Sequence, residues 1–276
     1  MSAAATHHGR HRPHGRARRF FRTPKGVLIL LLALLSILGT LGKEWPLFAP
    51  GLAAALLAAM LVDAPILRLR ERRWEFPSGA LLTGLIVAMV LSPHEPWYIA
   101  AATSAAAIVS KYLFRTRTAN IFNPAALALL VNFYVFGSGQ SWWGALSEST
   151  PLGLTVLVGT GLFMADRVSR MPGVISFLGG YYLLFTLAAF LGDPARVAGA
   201  FRPPDLNAAL FFAFFMVTDP PTSPPRHRDQ VVYGLIAAAV SYTVFVLTGA
   251  IYFLLVGLLV ANIWEAARRV RSRSGQ

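Results

Sequence analysis

The chain of 276 residues is 55% hydrophobic and 13% charged, and its mean hydropathy is +0.56. Because a soluble domain carries about 25% charged residues, this composition predicts an all-α integral membrane protein. The chain has no cysteine, which excludes disulfides, thiolate metal ligands, iron–sulfur clusters and cysteine nucleophiles.

The placement of the positive charge indicates a membrane topology. A net charge of +13 would suggest a nucleic-acid partner in a soluble protein. Here the basic residues alternate with apolar runs, as in the cytoplasmic loops of membrane proteins, so we expect no nucleic-acid partner. All but three of the 25 Lys and Arg residues lie in six clusters, at 1–25, 68–73, 111–117, 167–170, 226–228 and 268–273.

A single membrane domain is predicted between two basic tails. Residues 1–25 are rich in His and Arg and residues 266–276 are basic, which predicts cytoplasmic tails around a transmembrane domain at 26–265. A helix that crosses a bilayer core of about 30 Å needs about 20 residues. With a cytoplasmic N-terminus, ten spans place every basic cluster on the cytoplasmic side. These spans are predicted at 26–42, 47–67, 77–93, 97–114, 123–137, 151–165, 173–191, 207–218, 231–247 and 249–265.

Ten spans divide into two repeat halves, at about 26–137 and 151–265. Because each half holds five spans, the second half begins on the opposite face of the membrane, and a duplication would be inverted. The third and eighth spans, "SGALLTGLIVAMVLSPHEP" and "NAALFFAFFMVTDPPTSP", are both short and break off at proline. Such segments in matching positions point to a binding site near the repeat interface, and chance similarity between apolar segments is the alternative.

The first polar segment, "RTANIFNPAALA", precedes the fifth span on the cytoplasmic side. Asn123 before Pro124 is typical of a helix N-cap followed by the first helical residue. Asn120 and Asn123 are also three residues apart, so their amides are candidates to bind a planar, hydrogen-bonding ligand such as an isoalloxazine ring. Both interpretations stay open.

The second polar segment, "MVTDPPTSPP", ends the eighth span. Its prolines end the helix and keep the following backbone extended, and such backbone survives at membrane depth only inside protein or along a cavity. An acidic residue there is a functional-site candidate, and the alternative is an ion pair of Asp219 with Arg226 or Arg228. The candidate residues are Thr218, Asp219, Thr222 and Ser223.

The third polar segment, "SWWGALSESTPLG", precedes the sixth span on the outer side. Thr150 and Pro151 fit an N-cap and a first helical residue without any ligand. Trp142 and Trp143 fit an aromatic belt at the outer membrane interface. No Ser–His–Asp order, zinc-ligand spacing or phosphate-binding loop accompanies these segments, so we expect neither a catalytic residue nor a metal site in the chain.

Together these stretches resemble a family of membrane proteins. "SGALLTGLIVAMVLSPHEPWYI", "SKYLF", "NIFNPAALALL" and "FFMVTDPPTSP" are similar, in order and spacing, to segments of two homologous proteins. These are RnfD, a membrane component of the Rnf electron-transport complex, and NqrB, a component of the sodium-pumping NADH:quinone oxidoreductase. The resemblance covers about 26–265. It implies a urea-transporter-like fold with a five-plus-five inverted repeat in a bacterial cytoplasmic (inner) membrane.

The resemblance also implies a flavin. In the family, a flavin transferase joins FMN through a phosphodiester to the threonine of an Asp-x-x-Ser-Gly-Ala-Thr motif on the outer face. The matching stretch keeps Ser147 and Thr150, but Gly144 replaces the aspartate and Glu148-Ser149 replaces Gly-Ala. Glu148 adds negative charge beside a dianionic phosphate, which opposes attachment. Covalent FMN at Thr150, a non-covalent flavin and a flavin-free relative all stay open.

We therefore expect a flavin-binding membrane subunit that passes electrons between partner proteins, with coupling to Na⁺ or H⁺ translocation left open. Because the chain cannot oxidise NADH alone, other membrane and peripheral electron-transfer subunits are expected partners. The alternative is a solute channel or carrier of the same fold that has lost the redox role. A cytoplasmic-side pocket is expected, and Thr150 would be the outer flavin position; a second, non-covalent flavin is left open. The residues that would shape the pocket are Asn120, Asn123, Thr218, Asp219, Thr222 and Ser223.

Overall fold

The computed structural model describes residues 20–41, 45–72, 75–116, 119–147 and 151–274. Within these residues the chain forms helices and two isolated β-bridges, and no strand. The helices are α1 Pro24–Thr40, α2 Trp45–Glu71, α3 Ser78–Val90, α4 Trp97–Leu113, α5 Pro124–Phe136, α6 Pro151–Arg167, α7 Met171–Leu191, α8 Asp205–Phe211, α9 His227–Thr248 and α10 Phe253–Ser274. A π-helix, Phe212–Met216, extends α8, and short helical turns lie at Trp143–Ala145, Pro194–Val197 and Ala198–Phe201.

Helix boundaries follow from local capping chemistry. The Thr23 hydroxyl accepts a hydrogen bond from the Gly26 N–H at 3.1 Å and starts α1, and the Asn123 carboxamide does the same for α5. Both helices have proline at their first position, where a missing N–H costs nothing. Gly137 ends α5 in the left-handed conformation, with φ of 67°. Each predicted span overlaps one of these helices.

Three helices are long and apolar enough to cross a membrane by length and composition: Trp45–Glu71, Met171–Leu191 and His227–Thr248. The protein is therefore a multi-pass membrane protein. Pro24–Thr40, Ser78–Val90, Pro124–Phe136 and Asp205–Met216 are shorter apolar helices. The count of ten spans stays a prediction. The predicted N-terminal tail lies almost wholly outside the described residues, and the predicted C-terminal tail continues α10 as far as Ser274.

The helices pack in a similar pattern in the two halves of the chain. In the first half α2 packs against α4, and α4 against α5; in the second half α7 packs against α9, and α9 against α10. Likewise α1 packs against α3 in the first half, and α6 packs against α8 in the second half. Contacts between the halves include those of α1 with α6 and of α5 with α10. A five-plus-five repeat requires this correspondence. The inverted relation and the urea-transporter-like fold stay predictions.

The two short segments of the sequence form the centre of the fold. Residues 85–91, which run from the second half of α3 to the residue after it, and residues 211–217, which include the π-helix after α8, are all buried. A helix that is apolar on every side has to be surrounded by other elements. The longer helices provide that shell, and Thr218, Thr222 and Ser223 of the polar segment after α8 are also buried.

The close contact between α7 and α9 depends on a glycine. A Cβ added at Gly234 would lie 2.6 Å from the Gly173 carbonyl oxygen, which is backbone and cannot move aside. Gly179, on the exposed side of α7, has no atom within 4 Å of the corresponding Cβ position. Glycine is thus required at position 234, whereas at position 179 it only lowers the stability of the helix.

We expect Gly234→Ala to destabilise the protein by about 1–3 kcal/mol through overpacking. Gly179→Ala is the matched control, and it should leave stability unchanged or raise it by up to about 1 kcal/mol because alanine favours the helix. The apparent melting temperature of the detergent-purified proteins, followed by tryptophan fluorescence, measures both. Equal melting temperatures for the two variants would contradict this account of the α7–α9 contact.

Candidate functional site

A cavity of about 480 Å³ opens where α1, α3 and α5 begin. The segment that follows α8 closes its other side. Its volume is within the range of small-molecule binding sites, about 300–1,000 Å³. The lining residues are Thr23, Pro24, Lys25, Leu28, Gly79, Leu82, Thr83, Ile86, Lys111, Asn120, Asn123, Pro124, Ala125, Met164, Val168, Phe215, Thr218, Asp219, Pro220 and Pro221.

The beginnings of three helices give the cavity backbone donors. Lys25, Gly79 and Ala125 are the second residues of α1, α3 and α5, and all three line the cavity. N–H groups in the first turn have no acceptor within their helix, and a helix N-terminus carries partial positive charge. The cavity therefore favours ligand groups that accept hydrogen bonds.

Four of the predicted site residues line the cavity: Asn120, Asn123, Thr218 and Asp219. They come from two polar segments nearly 100 residues apart in sequence, which the fold brings together. Thr222 and Ser223 are buried directly behind this wall instead of lining it. The Thr222 hydroxyl donates to Asp219 Oδ2 at 2.8 Å, so Thr222 acts on the cavity through the carboxylate.

Asn123 caps α5 and also lines the cavity, and its role in ligand binding stays a prediction. Its Oδ1 accepts from the Ala126 N–H at 3.1 Å, which confirms the N-cap, and its own N–H donates to Asn262 Oδ1 at 2.8 Å. Asn262 in turn donates to the Tyr233 hydroxyl. Among the described residues, the Asn123 side-chain NH₂ makes no hydrogen bond. Asn120 is half-buried, and within the described part of the chain its amide makes no hydrogen bond, so it is the freer of the two amides.

Asp219 is an acidic group held at the cavity wall. It lies in the loop between α8 and α9, where burial raises the pKa of its carboxyl to about 6. The hydrogen bond from Thr222 and the charges of Arg170, Arg269 and Lys25 keep this pKa from rising further. The carboxylate therefore changes charge close to physiological pH.

The alternative interpretation of Asp219, an interfacial ion pair with Arg226 or Arg228, is not seen. Among the residues that the structure describes, neither arginine forms a salt bridge with it. Between Asp219 and these arginines lie four prolines, which keep the segment from continuing as a helix.

Four polar lining residues were not predicted as part of the site. Thr23 caps α1, Lys25 and Thr83 belong to helices α1 and α3, and Lys111 belongs to α4. A sequence signal existed for three of them. Thr23-Pro24 has the same cap pattern as Asn123-Pro124, and it places Lys25 at a helix start. Thr83 follows Gly79 by one helical turn, on the same face of α3.

Lys111 connects the cavity to a buried carboxylate. Its Nζ lies 3.1 Å from Asp63 Oδ1, and the Tyr112 hydroxyl donates to the same oxygen at 2.6 Å. Asp63 is 1% exposed, and its Oδ2 has no partner among the described residues. The cation beside Asp63 thus comes from α4, a partner that local spacing along α2 could not indicate.

The outer segment at 141–147 packs as core. Trp142 and Trp143 are 6% and 5% exposed, so the predicted aromatic belt is wrong for these two residues. The Trp143 indole N–H donates to the Ala88 carbonyl at 2.6 Å, and its ring packs edge-on against Phe48. A buried indole with a satisfied N–H is an interior residue, and local sequence could not separate it from an interfacial one.

The segment at 141–147 is separate from the cavity. Trp143 of this segment lies against Gly39, one end of α1, whereas the cavity contacts α1 at residues 23–28, about 16 Å away at 1.5 Å per residue. Ser147 is half-buried in the same segment. Thr150 lies outside the described residues.

The cavity and the segment around Gly144 differ in how well they fit a flavin. The cavity combines apolar walls, at Leu28, Leu82 and Phe215, with the free amide of Asn120, as a planar heterocycle requires. At Gly144, where the family motif has aspartate, an added Cβ would lie 2.6 Å from the Met89 Cβ. An aspartate could not be placed there without moving Met89.

The fold and the cavity define a multi-pass membrane protein with a candidate small-molecule site, at the start of α3 and beside the segment that follows α8. A model of the NQR2, RnfD, RnfE family matches residues 9–186 and 150–267. The chain belongs to this family, and the resemblance expected from the motifs is confirmed.

Named relatives share most of the chain's length. The D subunit of an ion-translocating oxidoreductase complex from Pseudomonas aeruginosa is 28% identical over 84% of each chain. The D subunit of the complex of the same name from Aeromonas salmonicida is 28% identical over 79% of this chain and 84% of its own. The D subunit of a proton-translocating ferredoxin:NAD(+) oxidoreductase complex from Clostridium ljungdahlii is 27% identical over 67% of this chain and 70% of its own.

The Asp63–Lys111 pair yields a stability prediction. Lys111→Met leaves the buried Asp63 carboxylate without its cation, which should cost about 3 kcal/mol or more. The double variant Asp63→Asn with Lys111→Met removes both charges and should recover most of that loss. Apparent melting temperatures of the wild type, both single variants and the double variant complete the cycle. A double variant less stable than Lys111→Met would show that the pair is not the source of the loss.

Proposed function

We propose that the chain is the membrane subunit of an ion-translocating electron-transfer complex and that it holds a flavin non-covalently in the cavity. Family membership and the names of the relatives support the first part. The observation that carries the second is the convergence of Asn120, Asn123 and Asp219 on one apolar-walled cavity large enough for a tricyclic ring.

The chain's own groups suit the edge of a flavin ring. The Asn120 amide and the Asn123 NH₂ are free to bond ring oxygens and nitrogens, and the Asp219 carboxylate is free to accept from a ring N–H. Backbone N–H groups at Gly79 and Ala125 add donors from helix starts. A bound flavin would supply the one- and two-electron chemistry that the side chains lack. The protein would orient the ring and exclude water.

Covalent FMN at Thr150 is the competing proposal for the flavin. Gly144 backed by Met89, and Glu148-Ser149 in place of Gly-Ala, weigh against recognition by a flavin transferase. Ser147 and Thr150 themselves are retained, so a second flavin at the outer position stays a proposal. The test below separates the two positions.

Partner proteins are part of the proposal. A chain without cysteine cannot bind iron–sulfur clusters, so electrons must arrive from and leave to other membrane or peripheral electron-transfer subunits. We propose that the complex lies in a bacterial cytoplasmic membrane with both termini of this chain in the cytoplasm, as the basic clusters predict. Coupling to Na⁺ or H⁺ translocation belongs to the same proposal.

A flavin absorbance spectrum before and after denaturation tests the cofactor. The protein is co-expressed with a flavin transferase and purified. We expect a yellow protein that releases its flavin on denaturation and keeps its flavin content in Thr150→Val. Flavin that stays with the denatured chain and disappears in Thr150→Val would support covalent FMN instead. A colourless protein would contradict the flavin proposal and favour a solute channel or carrier.

A matched pair of threonine variants locates the flavin. Thr83 lines the cavity and Thr155 is exposed, and each hydroxyl donates at 3.0 Å to the carbonyl four residues before it. We expect Asn120→Ala and Thr83→Val to lower flavin content, and Thr155→Val to leave it unchanged. Equal flavin content in all three would place the flavin elsewhere.

The pKa of Asp219 makes flavin binding depend on pH. Above about pH 6 the ionised carboxylate accepts a bond from a ring N–H, and below about pH 6 protonation removes that acceptor. The dissociation constant for riboflavin should therefore rise as pH falls, by up to about tenfold per pH unit. Asp219→Asn should bind more weakly at neutral pH and show no such rise. Fluorescence quenching of riboflavin measures both, and an unchanged pH profile in Asp219→Asn would rule out this role.

A further inference from the structure

Residues 219–221 line one wall of the cavity, Thr222 and Ser223 lie behind it, and the segment forms turns instead of a continuing helix. Four of the residues at 220–225 are prolines, which donate no N–H, and Thr222 and Ser223 direct their own N–H groups to the Asp219 carbonyl. The wall therefore depends on donors from elsewhere to bond its remaining carbonyl groups, because unpaired carbonyls are costly in an apolar surrounding.

Arg269, near the end of α10, supplies those donors. Its Nη1 donates to the Pro221 carbonyl at 3.0 Å and its Nη2 to the Ser223 carbonyl at 2.9 Å. Its Nε donates to Glu265 Oε1 at 2.6 Å. All three nitrogens of the guanidinium are thus engaged, and the planar group is fixed in one orientation.

Glu265 anchors this arrangement. It is 1% exposed, and it accepts from Arg268 Nε at 2.8 Å as well as from Arg269. A buried carboxylate is stable only with such partners, so Glu265 holds the side chains of both arginines in place beside it. On the far side of the wall, Arg170 Nε donates to the Ser223 hydroxyl at 2.9 Å. The segment is therefore held by hydrogen bonds from Arg269 of α10 and from Arg170, which immediately precedes α7.

We propose that Arg269 is a positioning residue, oriented by Glu265, that holds residues 219–223 in the shape that closes the cavity. Arg269 itself does not line the cavity, whereas Pro221 does, so Arg269 acts through the backbone of the wall. The effect on ligand binding rests on the proposed flavin site. The effect on the wall itself does not.

Arg268 offers a matched control. It is the next residue to Arg269, it pairs with the same Glu265, and its other partner is Asp229 at 2.9 Å. Within the described residues its hydrogen bonds and ion pairs go to these two acidic groups, with none to the 219–223 segment. Arg268→Gln and Arg269→Gln therefore both weaken the anchoring of Glu265, and only Arg269→Gln releases the wall.

The first measurement tests whether residues 219–223 stay in place, through the accessibility of a thiol at position 223. Because the chain has no cysteine, Ser223→Cys introduces a single thiol at a position that is 2% exposed and keeps the Ser223 carbonyl. In the full-length protein, Arg269→Gln should raise the rate of maleimide labelling at this thiol roughly tenfold, since two hydrogen bonds to a charged group are lost. Arg268→Gln should leave the rate within about twofold of the parent. Equal rates in the two variants would overturn the proposal.

The second measurement follows the ligand, with riboflavin as the probe. Arg269→Gln should raise its dissociation constant roughly tenfold, Arg268→Gln should not, and Arg269→Lys should lie between them because a lysine cannot bond two carbonyls and a carboxylate in one plane. If Arg269→Gln does not purify in monodisperse form, Arg269→Lys carries both measurements. Unchanged affinity in a folded Arg269 variant would overturn the proposal. A wild type that binds no riboflavin would refute the flavin site, and the labelling rates would still decide the role of Arg269.

Discussion

The structure depends on the need to pair backbone polar groups where no water is available. Inside a helix this is automatic, and at a helix end it requires a side chain, a neighbouring chain segment or a ligand. Thr23 and Asn123 meet part of this need at the starts of α1 and α5, and Arg269 meets it along the proline-rich wall. The cavity lies where these capped helix ends and the proline-rich wall meet, and residues from the first turns of α1, α3 and α5 line it.

The same constraint explains how far the sequence could predict the site. Asn123 before proline and Asp219 among prolines are local interruptions of apolar helices, and such interruptions mark both capping and ligand binding. Asn120, Thr218 and Asp219 were predicted from these breaks and do line the cavity. The helix boundaries were predictable for the same reason, since proline, glycine and cap residues act within a few positions.

Other parts could not be predicted because they depend on distant packing. Lys111 reaches the cavity because Asp63 of α2 holds it, and Arg269 reaches the wall from the last helix. Trp142 and Trp143 were misassigned because an aromatic pair beside a helix end has the same local pattern in a core and at an interface. Local sequence does not explain the glycine at position 144, because the Met89 side chain that lies against it comes from a distant part of the chain.

The similar packing of the two halves is matched by similar helix starts. The first helix of each half begins at the proline of a Thr-Pro pair, at 23–24 and at 150–151, and the third helix of each follows a proline, at 77 and 204. In the first half these helix starts frame an open chamber. In the second half, the buried Trp142 ring packs edge-on against Phe211 and Phe212, at the end of α8. Halves with corresponding helix contacts thus differ in their side chains, since polar groups border a cavity in one and aromatic rings pack closely in the other.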